Sequence, residues 1–524
     1  MILTTTETGI YEYAKQGLAL SPDKTAIWFY GKSITYRELF EKIDNVADHL
    51  YALGVREGTV VTIHLPNCPQ AVMAIYAVAK LGGICNMVHA LIPAKGPKED
   101  MEFAESRFLI TYQANCAEIA EECLLVDVSY HMGVVFRTGY RLKNSRSKTD
   151  CLKFETTETS CSRKAVIPPS ESLSGKCIFY LHSSGTTDSP KTVMHCHRAI
   201  NNKVSQIQVY LRNSPTVGET LLEIFPLFHS AGLVMDLHHY ISGGGTLVMM
   251  AKWDVRLAVR FIKKYDVTML IAVPRIYQDL LRESSFQNTK IHHAFVAGDY
   301  TDAELKRAFN ARVNRDSCLY EGYGMTETVT ACFCCGLEHD NLEASGYPLQ
   351  FCRAALLLPD GTIKNVGKGE LLISSNSLMM GYLNDKEATD AAFIEFDGEK
   401  WFRSGDMGAI DEEGYVYYIE RIKNTIIHNG YNVYPAEVEK VIRSVHGVKD
   451  VCVVGVWNKD KNTQQICAYV IADKNSNMVT EEEIMTACRQ TLPRYAFPHW
   501  IRFIDSFPRN RMAKVDRKAL EQLK

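Results

Sequence analysis

The stretch Tyr180-Leu-His-Ser-Ser-Gly-Thr-Thr-Asp-Ser-Pro-Lys191 follows an apolar run and combines hydroxyl side chains, a glycine and a lysine. Its hydroxyl groups, its backbone N–H groups and Lys191 can all point at one anion, which is typical of a loop that holds phosphate. The spacing is not G-x-x-x-x-G-K-[ST], because Pro190 stands where the second glycine should precede the lysine. An ordinary P-loop NTPase is therefore disfavoured. The alternative is a surface turn, since Ser, Thr, Gly and Pro are common in turns.

The chain has 524 residues, too many for one ordinary core, and its length suggests about three to four packing units. It is 46% hydrophobic and 23% charged with a formal net charge of −3, the average balance of a soluble globular protein. This balance gives no electrostatic reason to expect binding of nucleic acid or of a membrane surface. No secretory signal pattern opens the sequence, and the most apolar stretch, 71–79, ends at Lys80. We therefore expect a cytoplasmic protein without a transmembrane segment.

The sixteen cysteines are scattered along the chain, which favours reduced thiols over a disulfide framework. One C-x-x-C pattern occurs in Cys332-Phe-Cys-Cys335, with His339 close by in sequence. No second pair stands at the spacing of a zinc site, so we interpret these thiols as part of a strand or loop.

The first half of the chain alternates helical and strand patterns. Thr35 and Glu38 form a capping box before apolar residues at helical spacing, and Gly54 ends that helix. Other predicted helices are 69–80 and 198–211, and predicted strands include 59–65, 84–88, 108–112, 123–128, 220–225, 247–250, 268–273 and 294–296. Such alternation predicts parallel sheets with helices on their faces. The polar segment 141–176 is expected to be a surface connection.

The strongest motif is Tyr320-Glu-Gly-Tyr-Gly-Met-Thr-Glu-Thr328, a Y-G-x-T-E run that follows a predicted strand. Tyr323 can offer a flat ring to adenine, Thr326 a hydroxyl to a phosphate, and Glu327 a hard carboxylate oxygen to Mg²⁺. The alternative is a solvated turn that contains one acid. In the later segment Trp401-Phe-Arg-Ser-Gly-Asp-Met-Gly408, Asp406 can accept hydrogen bonds from both hydroxyls of a ribose, or else cap a turn.

Together these motifs resemble those of the adenylate-forming superfamily, which includes acyl-CoA synthetases, luciferases and adenylation domains. The resemblance spans essentially the whole chain. Its other blocks are Pro226-Leu-Phe-His-Ser-Ala-Gly232, Ala294-Phe-Val-Ala-Gly-Asp299, Met380-Gly-Tyr382, Arg421-Ile-Lys-Asn424 and Pro508-Arg-Asn-Arg-Met-Ala-Lys-Val-Asp-Arg517. The chain departs from the family pattern at Asp188, Thr192 and Ala513, where glycine is usual. An added carboxylate repels phosphate, and a Cβ atom restricts the backbone.

The resemblance implies a role for each block. Residues implied to bind ATP or CoA are Ser183, Ser184, Gly185, Thr186, Thr187, Lys191, Gly298, Tyr323, Gly324, Asp406, Arg421, Lys423 and Gly430. Within this set Gly298 belongs to an adenine-side turn, Lys423 to a hinge, and Gly430 to a loop that faces the pantetheine channel. The residues implied to be catalytic are Lys514, Thr326, Glu327 and His229, with Glu327 as the ligand of Mg²⁺.

The implied fold is α/β. A large N-terminal domain of sheets flanked by helices, residues 1–421, would carry the ATP and acyl site, and a small mobile α+β lid, residues 422–524, would carry Lys514. The implied function is that of an ATP-dependent carboxylic acid–CoA ligase, with ATP, Mg²⁺ and coenzyme A. It would join the acid to AMP with release of pyrophosphate, and then pass the acyl group to CoA with release of AMP. Two anions must meet in the first step, so Mg²⁺ and Lys514 would lower the Coulomb cost, and a lid movement would then admit the thiol.

Alternatives concern turnover, the acceptor and the acid. The three departures from the pattern leave open a degenerate member that binds nucleotide or acyl groups without turnover. CoA is favoured over a carrier protein, because the acyl-AMP ligases that serve carrier proteins often carry an insertion near the lid, and 406–437 is compact here. An α-amino acid is disfavoured because His229 follows Phe228 where aspartate is usual, although Asp236 keeps a zwitterionic acid open. The particular acid and the oligomeric state stay open.

Overall fold

The computed structural model describes residues 6–92, 95–114, 119–143, 152–183, 191–212, 216–298, 301, 303–313, 319–336, 341–458, 461–473, 479–509 and 515–523. The chain divides into two compact units. The first unit comprises Met1–Arg353 and Ser374–Trp401, and the second comprises Ala354–Ile373 and Phe402–Lys524. This architecture of mixed α/β units, a large one followed by a small one, confirms the predicted fold class. The predicted domain boundary after Arg421 stays a prediction.

The helices of the first unit are α1 Ile10–Leu20, α2 Tyr36–Leu53, α3 Pro69–Lys80, α4 Lys95–Phe103, α5 Val134–Lys143, α6 Ser170–Leu173, α7 His197–Leu211, α8 His239–Gly243, α9 Val255–Lys264, α10 Pro274–Arg282, α11 Ala303–Arg312 and α12 Lys386–Ala391, with a π-helix at Ala231–His238 before α8. Its strands are β1 Thr25–Phe29, β2 Lys32–Thr35, β3 Val60–His64, β4 Ile84–Met87, β5 Phe108–Thr111, β6 Glu122–Leu125, β7 Leu152–Lys153, β8 Cys177–His182, β9 Thr192–Cys196, β10 Thr220–Glu223, β11 Thr246–Met249, β12 Met269–Ala272, β13 His293–Val296, β14 Leu319–Gly324, β15 Ala331–Cys334, β16 Tyr347–Pro348, β20 Gly381–Tyr382 and β21 Phe393–Phe396.

The other strands are β17 Cys352–Leu357, β18 Ile363–Lys364, β19 Gly367–Ser375, β22 Glu399–Ile410, β23 Val416–Arg421, β24 Ile426–His428, β25 Tyr431–Val433, β26 Val448–Asn458, β27 Thr463–Ala472 and β28 Trp500–Phe503, of which β17, β19 and β22 begin or end in the first unit. The second unit also contains the helices α13 Pro435–Arg443, α14 Glu481–Thr491 and α15 Arg517–Gln522.

Two large sheets organise the described part of the first unit. One has the strand order β16-β15-β14-β13-β12-β10-β11-β1-β2, and the other has the order β20-β9-β8-β4-β3-β5-β6-β7. Neighbouring strands from β14 to β1 are parallel, as are those from β8 to β7. Antiparallel strands stand at the edges of both sheets, among them β9 and β20 in one sheet and β15 in the other. The phosphate loop joins β8 to β9, and the Y-G-x-T-E motif lies at the end of β14, beside β15.

Local sequence signals explain why several helices begin and end where they do. The Thr35 side chain accepts from the Glu38 N–H, the Glu38 side chain accepts from the Thr35 N–H, and Gly54 ends α2 in the left-handed conformation. Proline opens α3, whose residues are all buried. The capping box predicted for α2 is therefore formed, and the apolar stripe of α2 faces the core through Leu39, Ile43 and Leu50.

The expectation that 141–176 is a surface connection is wrong in part. A short helical turn at Phe154–Glu158 is packed into the first unit, and its Phe154 and Thr157 are fully buried. The Glu158 carboxylate is also buried and accepts from Lys42 Nζ at 2.7 Å, while His131 Nε2 lies 2.8 Å from its other oxygen. Paired partners therefore offset the cost of burying this polar residue.

The second unit contains a β-sheet of order β18-β17-β19-β22 with β23 on β22, and a three-stranded sheet of order β26-β27-β28. Helices α13 and α14 share a core with the three-stranded sheet through Val438, Ile442, Val453, Ile466 and Ile484. Thr480 and Glu483 form the predicted capping box at the start of α14. Within the described residues of both units, no helix is both long and apolar enough to cross a bilayer.

Candidate functional site

The ends of the predicted phosphate loop are held together by a hairpin. Strands β8 and β9 pair antiparallel, with His182 opposite Thr192. The N–H and the hydroxyl of Ser183 both donate to the carbonyl of Lys191, at 2.9 and 3.1 Å. Ser184, Gly185, Thr186, Thr187 and Asp188, which form the middle of the loop, lie outside the described residues. The hairpin thus places Ser183 and Lys191 next to each other at one end of the sheet.

Thr192, one of the departures from the family pattern, fits its place in the sheet. It is buried in β9, and its hydroxyl lies 3.1 Å from His182 Nδ1. Burial lowers the pKa of His182, so the ring is neutral and bonds the hydroxyl without a charge. An extended strand accepts a Cβ at this position, and the side chain gains a partner there.

The Y-G-x-T-E motif forms the end of β14 and a single helical turn at Thr326–Thr328. A Cβ on Gly324 would lie 2.1 Å from the Thr330 carbonyl oxygen, so the close approach of β14 and β15 requires glycine here. The Tyr323 ring stacks on Phe333 with centroids 5.5 Å apart and ring planes 9° apart. Since Phe333 covers one face, an adenine base could stack only on the opposite face of Tyr323.

Strand β9 connects the phosphate loop to this turn. His195 Nε2 lies 2.8 Å from the carbonyl oxygen of Thr326, and the ring of His195 is fully buried. Burial lowers its pKa to about 4, so the neutral ring donates from Nε2 to the carbonyl at neutral pH. Lys203 of α7 makes a second connection, because its buried Nζ donates to the carbonyl of Ala331 at 2.7 Å.

Tyr382 is a functional candidate that the sequence reasoning missed. Its hydroxyl donates to Glu327 Oε1 at 3.0 Å, and Lys191 Nζ lies 4.4 Å from its ring centroid. The sequence named 380–382 only as one block of the resemblance and gave Tyr382 no role, because the antiparallel pairing of β20 with β9 leaves no local signal. The structure therefore brings Lys191, Thr326, Glu327 and Tyr382 together in the first unit.

The His229 segment leaves β10 and enters the π-helix. His229 Nδ1 accepts from the Ala231 N–H at 3.2 Å, and its ring lies 5.1 Å from that of Phe225. A Cβ on Gly232 would lie 2.5 Å from the carbonyl oxygens of both Phe225 and Pro226, so this tight turn requires glycine. The buried Asn67 fixes the same turn, since its amide donates to the Phe225 carbonyl at 2.8 Å.

Two buried acids lie behind this turn. Glu223 of β10 and Asp236 of the π-helix are both fully buried. Burial raises the pKa of both carboxyls well above the usual range, and the nearby Asp236 raises that of Glu223 further. Asn67 donates to Glu223 Oε1 at 3.2 Å, whereas neither oxygen of Asp236 accepts a hydrogen bond from any described residue. Burial therefore favours the protonated form of both carboxyls in the folded state.

An apolar cavity lies between α7, the π-helix and the first sheet. Its lining consists of Ile207, Tyr210, Leu211, Met235, Ile271, Phe295, Ala331, Cys334 and Leu349. The described lining does not include Asp236, although Met235 precedes it in sequence. Its accessible volume of about 10 Å³ is that of a single water molecule, so a hydrocarbon group would enter only after the lining side chains move apart.

The predicted adenine-side turn is described only in part. Gly298 follows β13 with a φ of +89°, a conformation that favours glycine, and among the described residues a Cβ there would meet only Val273. Asp299 and Tyr300 lie outside the described residues. The structure thus places Gly298 at the carboxyl end of a central parallel strand, where ligand-binding turns of such sheets lie.

Asp406 and Arg421 stand opposite each other on β22 and β23 of the second unit. Arg421 Nε lies 2.9 Å from Asp406 Oδ1, and the Asp406 side chain is 1% exposed. Because Arg421 contacts Oδ1, Asp406 can accept from ribose hydroxyls only through lone pairs that Arg421 leaves unused. Asp406 and Arg421, which belong to two different predicted motifs, thus form an ion pair in the structure.

Lys423 is exposed in the short helical turn Ile422–Asn424. The preceding Glu420 is buried, and its Oε2 accepts from the Ala436 N–H at the start of α13 at 3.0 Å. Asn429 and Gly430, with φ of +51° and +82°, connect β24 and β25. Positive φ at both central residues is typical of a two-residue type I′ hairpin, which explains the Asn-Gly pair.

The predicted catalytic lysine, Lys514, lies outside the described residues, as does Ala513. The ends of its segment are nevertheless anchored in the second unit, because Arg509 bridges to Val515 and the Asp516 N–H donates to the Pro508 carbonyl at 2.8 Å. Arg517 Nη2 lies 2.9 Å from the buried Glu439 carboxylate.

The surroundings of Glu327 suit a Mg²⁺ ion that one carboxylate holds, and not a structural metal that needs several protein ligands. Among the described residues, no group of three or more His, Cys, Asp or Glu side chains could hold an ion. Mg²⁺ usually takes one or two carboxylates and completes its octahedral shell with phosphates and water. The Glu327 carboxylate, with Oε1 on Tyr382, suits that mode. The described cysteines are all free thiols, including Cys332, Cys334 and Cys335 on and after β15.

Two family models match the chain. The first, described as AMP-binding enzyme, matches residues 15–383, and the second, described as AMP-binding enzyme C-terminal domain, matches residues 437–514. The chain therefore belongs to the AMP-binding enzyme family, which confirms the predicted superfamily.

Curated relatives match over nearly their full length. The chain is 27% identical to a long-chain-fatty-acid–CoA ligase of Bacillus subtilis, over 95% of this chain and 91% of that protein. It is 29% identical to a long-chain-fatty-acid–CoA ligase of Mycobacterium tuberculosis, over 93% of each. It is 27% identical to a 2-succinylbenzoate–CoA ligase of Bacillus cereus, over 96% of each. A solved structure of O-succinylbenzoate coenzyme A synthetase from Bacillus subtilis, in complex with ATP and magnesium ion, is 24% identical with a TM-score of 0.80, covering 97% of this chain and 99% of that one. That likeness supports the fold.

Proposed function

We propose that the chain is an ATP-dependent carboxylic acid–CoA ligase that forms an acyl-adenylate and then an acyl-CoA thioester. The observation that carries the proposal is the convergence of Lys191, Thr326 and Glu327 on one edge of the first unit, in a chain of the AMP-binding enzyme family. The relatives named above are CoA ligases, which supports CoA as acceptor.

Each of these residues would have a distinct task in adenylation. Lys191 and Ser183 would bind the ATP phosphates, and Lys514 would offset the charge of the two anions that react. Thr326 would donate its hydroxyl to the α-phosphate, while Glu327 would hold Mg²⁺, which neutralises phosphate charge when bound. His229, at the start of the acyl-side turn, would orient the carboxylate of the acid. Tyr323, Gly298 and Asp406 would bind the nucleoside.

The acid carries an apolar acyl group. The names of the long-chain-fatty-acid relatives support this. The cavity lined by Met235, Tyr210 and Phe295 is apolar, but at about 10 Å³ it would hold an acyl group only after these side chains move. The names of the long-chain-fatty-acid relatives support a role in fatty acid metabolism. A cationic acid is disfavoured, since burial raises the pKa of Asp236 well above its usual range and so favours its neutral form. The free thiols support a reducing compartment, and we place the protein in the cytoplasm.

The proposal is tested with a panel of carboxylic acids, from acetate to long-chain fatty acids and aromatic acids, supplied with ATP and Mg²⁺. Pyrophosphate release that depends on the acid, and thioester formation that depends on added CoA, are expected. Lys514→Ala is the matched variant, because it should lose pyrophosphate release while keeping ATP binding. If no acid releases pyrophosphate although ATP binds, the protein is a binding member without turnover. If adenylate forms but CoA is not acylated, a carrier protein is the acceptor.

A further inference from the structure

Tyr382 stands between the two charged side chains of the proposed ATP site in the first unit. Its hydroxyl donates to Glu327 Oε1 at 3.0 Å, and its ring centroid lies 4.4 Å from Lys191 Nζ. The residue is 8% exposed. One neutral side chain therefore contacts both the candidate phosphate-binding cation and the candidate magnesium-binding acid.

The backbone fixes the ring in this position. Strand β20 pairs with β9, which aligns Tyr382 with Val193, and the Leu383 N–H donates to the Thr192 carbonyl at 2.8 Å. The Tyr382 N–H donates to the Thr389 hydroxyl of α12 at 2.9 Å. Because both sides of the residue are hydrogen-bonded, the ring is held beside Lys191 before any ligand arrives.

The arrangement keeps two opposite charges from neutralising each other. An ammonium and a carboxylate in direct contact would form an ion pair, and each would then be less available to a ligand. Within the described part of the chain, Lys191 makes no ion pair. The negative face of the phenol ring attracts the ammonium, and the phenol hydroxyl binds one oxygen of the carboxylate.

We infer that Tyr382 is a positioning residue of the ATP site, which separates Lys191 from Glu327 and presents the ammonium to phosphate and the second carboxylate oxygen, Oε2, to Mg²⁺. No described residue donates a hydrogen bond to Oε2, so this oxygen is available for a metal ion. The identity of the ligand rests on the proposed function, whereas the contacts of Tyr382 with both charged side chains rest on the geometry alone.

The test compares Tyr382→Phe, which keeps the ring and removes the hydroxyl, with Tyr382→Leu, which removes both. ATP binding is measured by calorimetry with saturating Mn²⁺ as the probe ion and again in EDTA, without any acid, so that no turnover occurs. Tyr382→Phe is expected to weaken binding of the Mn²⁺ complex about three- to ten-fold and to change metal-free binding by less than about twofold. Tyr382→Leu is expected to weaken metal-free binding as well, by about threefold, because Lys191 loses its ring.

Two controls separate positioning from a merely structural effect. Tyr112→Phe removes another hydroxyl of the first unit, one that donates to the Ala90 carbonyl, and should change neither affinity. In a Glu327→Gln background the Tyr382→Phe change should alter Mn²⁺-dependent binding by less than about twofold, since the bonded carboxylate is gone. Equal Mn²⁺-dependent affinities of Tyr382→Phe and the wild type would overturn the inference, as would an undiminished effect in that background. Because no acid is used, a negative acid panel refutes the proposed function and leaves this inference standing.

Discussion

His195 and Thr326 lie far apart in sequence, yet His195 Nε2 is 2.8 Å from the Thr326 carbonyl oxygen. This bond joins the strand that follows the phosphate loop to the turn that carries Glu327. Since the imidazole is buried and neutral, the bond does not depend on pH near neutrality. The two halves of the proposed ATP site in the first unit are thus held in one geometry.

His195→Leu is expected to slow acid-dependent pyrophosphate release and to destabilise the fold by about 0.5–1.5 kcal/mol, because the partly buried Thr326 carbonyl loses one of its two donors and keeps only the Val329 N–H. Stability is measured by urea unfolding, and the rate by pyrophosphate release. His195→Gln can still donate from its amide and should recover part of both losses. Wild-type values for both quantities in His195→Leu would contradict the assigned role of the bond.

Glu223 and Asp236 make stability depend on pH. Their pKa values are raised in the folded state, so the folded protein retains protons that the unfolded chain releases above its ordinary carboxyl pKa of about 4. Their contribution to stability is therefore most favourable below that value and falls as the pH rises toward the folded-state pKa values, by about 1.4 kcal/mol per pH unit for each proton retained.

Asp236→Asn removes one of these protons. Urea unfolding between pH 5 and pH 9 is expected to show a smaller loss of stability with rising pH in Asp236→Asn than in the wild type, by up to about 1.4 kcal/mol per pH unit. Glu395→Gln, at an exposed position of β21, is the control and should follow the wild type. Parallel curves for the wild type and Asp236→Asn would refute a protonated buried pair.

Lys514 and Lys423 are expected to serve different half-reactions. Lys514→Ala should lower acid-dependent pyrophosphate release by about a hundredfold, because charge stabilisation in the adenylation step is lost. It should retain thioester formation from a supplied acyl-adenylate. Lys423→Ala should slow thioester formation more than adenylation, since a hinge position affects the change between the two states. Lys440→Ala, exposed on α13, is the control. If Lys423→Ala loses equal activity in both half-reactions, Lys423 is not a hinge residue.

Met235 is expected to set the size of the accepted acyl group. Met235→Ala enlarges the cavity by most of a side chain, so kcat/KM should move toward longer or bulkier acids by about tenfold relative to the wild-type optimum. Met250→Ala, buried in the core beside the first sheet and outside the cavity lining, is the matched control and should lose stability without a change in preference. An unchanged acid preference in Met235→Ala would exclude this cavity as the acyl site.

Local patterns predicted much of the fold. The starts of α2 and α14 follow from capping boxes, and those of α3 and α13 follow from proline at the first turn. Each of these signals lies within a few residues of the element that it defines. The Y-G-x-T-E turn is equally recognisable in the sequence. Its glycine is needed in the structure because the Thr330 backbone approaches Gly324 closely.

The interactions that sequence reasoning missed depend on residues far apart in the chain. Tyr382 contacts Lys191 only because β20 pairs with β9, and His195 has no motif of its own. The burial of Glu158 was missed for the same reason, since its partners His131 and Lys42 come from other elements. The polar composition of 141–176 therefore predicted an exposed segment, whereas partners from distant parts of the chain allow Glu158 to be buried.

The π-helix at Ala231–His238 makes the proposed acyl-binding region sensitive to the insertion or deletion of a single amino acid. Its i→i+5 hydrogen bonds accommodate about one extra residue in each turn, and such π-helical turns are frequent at functional sites. A one-residue deletion there would relax the segment to an α-helix and rotate the side chains on one side of the deletion by roughly 100° relative to the rest. Met235 would leave the cavity and Asp236 would part from Glu223 in a single event, so an indel at this place offers a short mutational route to a different acid.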